Sequence, residues 1–251
     1  MTLRPLLCAA LVVSALVACS QPSLIGAEEP AADVSEVNDD EEKKAATLER
    51  FERDGSVFDS APPEGSGEGT LLFQPSLEYS GFDGEHTFKV PISIHGSGSD
   101  LVLTADDPSA VTIAKASLVD ATGDKGLYYM ITPKKAGLVT LTARSRGQTA
   151  EAEIHVASYA PSRWAAGEKR YLEGGGGAPP CAQCHGGGEG IDHSPAAIAS
   201  ITDAEVARIV TAGEKPGFVP IEGVKHAWEV SDAERQGLVT YLRGLDPRGF
   251  R

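Results

Sequence analysis

Between residues 70 and 159, apolar and polar positions alternate in short runs. Phe88, Val90, Ile92 and Ile94 fall on one side of an extended stretch, and residues 101–104, 111–113, 127–131, 138–143 and 150–156 repeat the habit. Gly96-Ser97-Gly98, Asp106-Asp107-Pro108, Thr122-Gly123-Asp124 and Ser145-Arg146-Gly147 punctuate them as turns. A period of two with turns at this spacing predicts half-buried strands. About seven such strands in this length predict an antiparallel β-sandwich.

From residue 160 the period changes. Residues 162–172 predict a first helix. Thr202-x-x-Glu205 and Ser231-x-x-Glu234 are capping boxes that open two more. The first box leads into Val206, Ile209 and Val210 and closes near Gly213; the second leads into Leu238, Val239, Tyr241, Leu242 and Leu245 before Pro247. Some ninety residues are few for a purely hydrophobic core, and a bound apolar cofactor would supply the missing volume.

The amino-terminal quarter has neither pattern. Residues 6–18 form an apolar run broken only by Ser14, too short to span a bilayer but suited to a secretory signal. The run ends in Leu16-Val17-Ala18-Cys19, which resembles the lipobox of bacterial lipoproteins. That resemblance implies cleavage before Cys19 and acylation of Cys19 as the membrane anchor, and Ser20 after it favours the outer membrane. Residues 20–69 then hold fourteen acids and four bases, a large part of the formal net charge of −14. Polar, Pro/Gly-punctuated and self-repelling, this stretch predicts a disordered tether, with at most a marginal helix around 41–53. The predicted organisation is therefore a signal peptide at 1–18, a lipidated acidic linker at 19–69, a β-sandwich at 70–159 and a helical, cofactor-binding domain at 160–251.

The haem assignment comes from Cys181-Ala182-Gln183-Cys184-His185. C-x-x-C-H is the attachment signature of a c-type haem: two thiols at this spacing can bond the two vinyl groups of one haem, and the adjoining imidazole reaches the iron. With Cys8 lost in the signal and Cys19 acylated, Cys181 and Cys184 are the remaining cysteines, so no disulfide framework is left. Haem c is attached outside the bacterial cytoplasm, so signal and motif agree. A redox dithiol would call for a βαβ context, whereas glycines and prolines flank this motif. A zinc site would need two further ligands, and His193 and His226 lie at no common spacing. His86, His95 and His155 share no ligand spacing either and are expected to be ordinary strand-end histidines.

Two family resemblances add to this. Residues 107–113 and 131–143 (Asp107-Pro108-Ser109-Ala110-Val111, then Pro133-Lys134-Lys135-Ala136-Gly137) resemble the later strands of bacterial immunoglobulin-like domains of the second group. Residues 161–251 resemble the class I cytochrome c domain, which implies an all-α fold. In that family a glycine and an aromatic on the first helix meet a leucine and an aromatic on the last; Gly167, Tyr171, Leu238 and Tyr241 match. The family also implies that Pro195, ten residues after His185, gives its carbonyl to the haem imidazole. The family's methionine ligand is missing, because Met1 and Met130 both precede the motif. His226, 41 residues after His185 and just ahead of the last helix, is the expected sixth ligand. His193 is the alternative, and an iron left five-coordinate or bound by Lys225 is the remaining possibility. Trp164 and Trp228 are expected to pack in the core or on the haem.

The expected fold class is multidomain: an all-β immunoglobulin-like sandwich followed by an all-α class I cytochrome c domain. The expected function is electron transfer by a membrane-anchored monohaem c-type cytochrome of the bacterial envelope, facing periplasm or surface. Redox proteins are its expected partners. The alternative is a surface-binding sandwich with an accessory or sensory haem domain. No nucleophile–base or acid pair marks a hydrolase. Ten bases against twelve acids in 161–251 leave no basic patch, so no nucleic-acid partner is expected.

Overall fold

The computed structural model describes residues 69–119, 126–186, 190–223 and 225–251. The signal at 1–18, Cys19, the acidic linker to residue 68 and its helix at 41–53 lie outside the described residues. The alternating region forms eight strands: β1 (Leu72–Gln74), β2 (Leu77–Phe82), β3 (Val90–His95), β4 (Val102–Ala105), β5 (Val111–Ala116), β6 (Leu127–Pro133), β7 (Gly137–Ser145) and β8 (Gln148–Ser158). They make two four-stranded sheets, ordered β1-β3-β6-β5 and β2-β8-β7-β4. Ile92, Ile94 and Ile131 from one sheet meet Val139, Leu141 and Ile154 from the other, each at most 1% exposed. The pairing is not wholly antiparallel: β2 runs parallel to β8, Leu77 opposite Glu153 through Phe82 opposite Ser158.

Five helices follow: α1 (Arg163–Glu173), α2 (Cys181–His185), α3 (Pro195–Ile198), α4 (Asp203–Ala212) and α5 (Asp232–Arg243). Both capping boxes are formed, Thr202 with Glu205 and Ser231 with Glu234. The all-α cytochrome c domain expected at 160–251 is not what the structure shows. Among the described residues, ten strands in three sheets and five helices make a mixed, mostly β arrangement. Gly213 closes α4 in a left-handed turn, and Gly217 (φ 80°) reverses the chain after Pro216. The segment therefore cannot stay helical, and β9 (Glu214–Lys215) pairs with β10 (Val219–Pro220) across a short 3-10 turn.

The carboxy-terminal part is also fastened to the sandwich. The N–H of Tyr79 on β2 donates to the carbonyl of Ala199 at 2.6 Å, and Ser117 and Arg251 exchange backbone bonds of 2.9 Å. Phe88, counted from sequence among the sandwich strands, is buried in the cluster of α1, α4 and α5. β3 is buried on both faces because α3 packs on its outer side.

α1 and α5 cross backbone to backbone. A methyl group on Gly167 would stand 1.9 Å from the carbonyl oxygen of Gly237. That oxygen belongs to the helix itself and cannot rotate away, so Gly167→Ala must push the helices apart. The expected cost is about 3 kcal/mol, read as a lower midpoint in urea unfolding; an unchanged midpoint would refute the close crossing.

Candidate functional site

α2 carries the C-x-x-C-H motif and begins after Pro179-Pro180, whose fixed φ suits a helix start. Cys181 and Cys184 are free thiols, Cys181 half-buried and Cys184 exposed. Burial raises the Cys181 thiol pKa, which Arg170 partly opposes. His185, the last residue of α2, turns its Nδ1 to the carbonyl of Ile191 at 2.9 Å. A carbonyl can only accept, so Nδ1 carries the proton and Nε2 keeps the lone pair. Gly190 makes this possible. A methyl group there would lie 2.8 Å from His185 Nδ1, so glycine lets the backbone at residue 190 come close to the ring.

The expected acceptor was Pro195, and the structure corrects it to Ile191. Pro195 opens α3, where its carbonyl accepts the N–H of Ala199 at 3.1 Å. Its helix has claimed the oxygen that the ring would have used.

His226 lies beside the end of α4. The N–H of Trp228 donates to Val210, and His226 Nδ1 donates to the carbonyl of Ile209 at 3.1 Å. His226 thus donates through Nδ1 as His185 does, which leaves Nε2 for another partner. Backbone acceptors of this kind are the usual outer partners of metal-ligating imidazoles. The two rings stand 5.9 Å apart at 88°. Two imidazole nitrogens bound to one metal, each about 2 Å from it, put the ring centres roughly 6 Å apart. His193 behaves otherwise: it stacks on His185 at 3.6 Å and 19°. No metal and macrocycle fit between rings so close, so the pair cannot ligate from opposite faces.

Burial lowers the pKa of His185 despite the Ile191 bond, and His226 and Arg248 lower it further. His193 is held well below the ordinary imidazole value, again chiefly by burial. Its Nδ1 is buried without a hydrogen-bond partner.

Cys181, Cys184, His185, His193 and His226 all line one cavity of about 930 Å³. That is at the upper end of small-molecule sites, ~300–1,000 Å³. Its walls are largely apolar, with Pro180, Ile191, Ile209, Val210, Ile221 and Trp228 among them. Among the described residues no group of three or more His, Cys, Asp and Glu could hold a bare metal ion. A haem makes no such demand, since the porphyrin supplies four of the iron's ligands. Thiols, lone-pair nitrogens and apolar volume therefore fit that cofactor. The carbonyls of Ile191 and Ile209, which orient the two rings, were missed from sequence; Gly190 was a trace of the first alone.

Neither a family model nor a curated protein matches the chain. Among solved structures, that of surface layer protein SbsC, domains 1–6, is similar at 14% identity and TM-score 0.29 over 37% of this chain and 13% of that one. SbsC domains 4 and 5 are similar at 12% identity and TM-score 0.26, covering 35% of this chain and 44% of that one. Likenesses this low assign neither fold nor function.

Proposed function

We propose that the protein is a monohaem c-type cytochrome that passes single electrons between redox proteins in the bacterial envelope. One observation carries this reading: both motif cysteines and two imidazoles that each donate through Nδ1 converge on one apolar cavity. A haem held there would supply a one-electron iron couple at the cavity's centre. Cys181 and Cys184 would fix it by thioethers. His185 and His226 present Nε2, with their orientation set by the carbonyls of Ile191 and Ile209. Ile209, Val210 and Trp228 keep water from the cofactor, which favours the less charged state of the couple. Two nitrogen ligands in place of nitrogen and thioether favour the ferric state, so a low potential is expected. The signal-like leader, Cys19 within its lipobox-like run and the extracytoplasmic chemistry of haem attachment together support an envelope location, lipid-anchored through Cys19. The acidic segment after it would act as a spacer of about 35 Å.

The test is a visible spectrum, oxidised and reduced, of protein from a haem-maturing host. A six-coordinate low-spin spectrum is expected, and His226→Ala is expected to turn it high-spin. The His193→Ala variant should stay low-spin. The reverse pattern would move the sixth ligand to His193, and no haem spectrum at all would end this reading.

A further inference from the structure

The aromatic rings behind the haem motif form a continuous file. His185 stacks on His193 at 3.6 Å, and His193 lies 6.1 Å from Tyr171. Tyr171 stands 5.4 Å from Tyr241, and Tyr241 5.1 Å from Trp164. Trp164 lies flat on His86, ring centres 3.9 Å apart and planes within 5°. The file thus starts in the cavity, runs through α1 and α5, and ends on the loop before β3 in the sandwich.

Its outer end is built rather than incidental. Asp83 Oδ1 accepts the N–H groups of Glu85 and His86, and Oδ2 accepts His86 Nδ1 at 2.7 Å. The Asp83 carboxylate is fully buried while His86 keeps 30% of its side chain exposed. A fixed ring therefore reaches solvent, between the exposed residues Glu85 and Thr87.

The third ring of the file carries a buried polar atom without a protein partner. The hydroxyl of Tyr171 is buried with no hydrogen-bond partner. An unsatisfied buried hydroxyl costs about 1–3 kcal/mol, and phenylalanine would fill the same space without it. What tyrosine adds is an electron-rich ring.

The geometry points to this file as an electron route that joins the haem site to a second port, the His86 loop of the sandwich. The inference rests on the haem reading above. One electron leaves reduced iron and enters a one-electron acceptor docked at the loop. No bond forms or breaks, and the rings serve as bridging orbitals that keep their own electrons. The sandwich then has a task beyond spacing: it presents the far end of the route to a redox partner.

The full-length haem protein carrying Thr87→Cys and a ruthenium polypyridyl label on that thiol tests this. Flash-quenching creates ruthenium(III), and transient absorption follows oxidation of the ferrous haem. Trp164→Phe is expected to keep the parent rate, and Trp164→Met to slow it severalfold with an unchanged haem spectrum. Tyr241→Leu carries the same expectation if Trp164→Met does not accumulate. A second readout uses ferric protein, in which ruthenium(III) draws one electron from Trp164 and the indole N–H proton passes to water. The resulting radical should appear by electron paramagnetic resonance in the parent and be missing in Trp164→Phe. Equal haem oxidation rates in the parent and the non-aromatic variant overturn the route while leaving the cytochrome intact. A parent protein without any haem band removes the cytochrome reading itself.

Discussion

Cys181→Ala together with Cys184→Ala is expected to give a protein that loses all red colour on acid extraction under denaturing conditions. Its mass should fall short of the parent's by one haem beyond the two sulfurs. Both thiols line the cavity and neither is engaged in a disulfide, so each is free to make a thioether. The single variants differ by degree. Each leaves one sulfur able to hold the haem, so covalent colour persists at reduced yield. Stability should follow the cofactor. Ile209, Val210 and Trp228 face a cavity of about 930 Å³ that no side chain fills. A group bound only to the folded state stabilises it by about 3–4 kcal/mol at concentrations of 100–1,000 times its Kd, and a tethered one acts at high effective concentration. The double variant should therefore melt well below the parent, as followed by circular dichroism. Covalent haem surviving the loss of both sulfurs would sink the assignment.

What could be read from the sequence was local, and what could not was set by distant partners. The capping boxes at Thr202 and Ser231 depend on residues three apart, and both are formed. β3 to β8 fell where period two placed them, whereas β1 and β2 were not among the segments read from it. The parallel register of β2 on β8 joins residues more than seventy apart, and no local pattern encodes it. The same holds for residues 249–251 pairing with 117–119, which ties the chain's end to the sandwich. The all-α expectation failed at residues 213–220. Gly213, Pro216 and Gly217 were visible there as breakers, but two-residue strands are too short to show a period. At the site, side-chain chemistry was legible in Cys181, Cys184 and His185. The acceptor for His185 was assigned to Pro195 and is Ile191, because a backbone carbonyl has no residue code. For the sixth ligand, separation along the chain favoured His226 over His193; the structure sets their rings 5.9 and 3.6 Å from that of His185, and the spectra of the two variants decide between them.

Arg243→Met is expected to produce a large stability loss in the carboxy-terminal part. Arg243 sits on α5 with its side chain wholly out of solvent. Its Nε donates to Asp203 Oδ1 at 3.0 Å, Nη1 to the carbonyl of Ile198 at 2.6 Å, and Nη2 to the carbonyl of Ile201. Asp203 in turn accepts the hydroxyl of Tyr159 at 2.7 Å, so one guanidinium ties α5 to the α3–α4 connection and to the end of β8. Burial raises the Tyr159 phenol pKa, which keeps the hydroxyl a donor across the physiological range. Methionine fills similar volume but donates nothing. Two buried carbonyls lose their partner at about 1–3 kcal/mol each, and Asp203 loses its counter-charge. Because Asp203 keeps 35% of its side chain exposed, water offsets part of that last loss. A net cost of about 3 kcal/mol follows, roughly 10 °C in Tm for a domain of this size. Arg243→Lys should recover only part of it, since a single ammonium cannot reproduce the planar fork that meets three acceptors in different directions. Asp203→Asn should cost less than Arg243→Met, and the double variant less than the sum of the two, because the pair shares its partners. Thermal melts of the four proteins give the coupling directly. Strictly additive losses would show that Arg243 acts through its two carbonyl bonds alone and that Asp203 contributes independently.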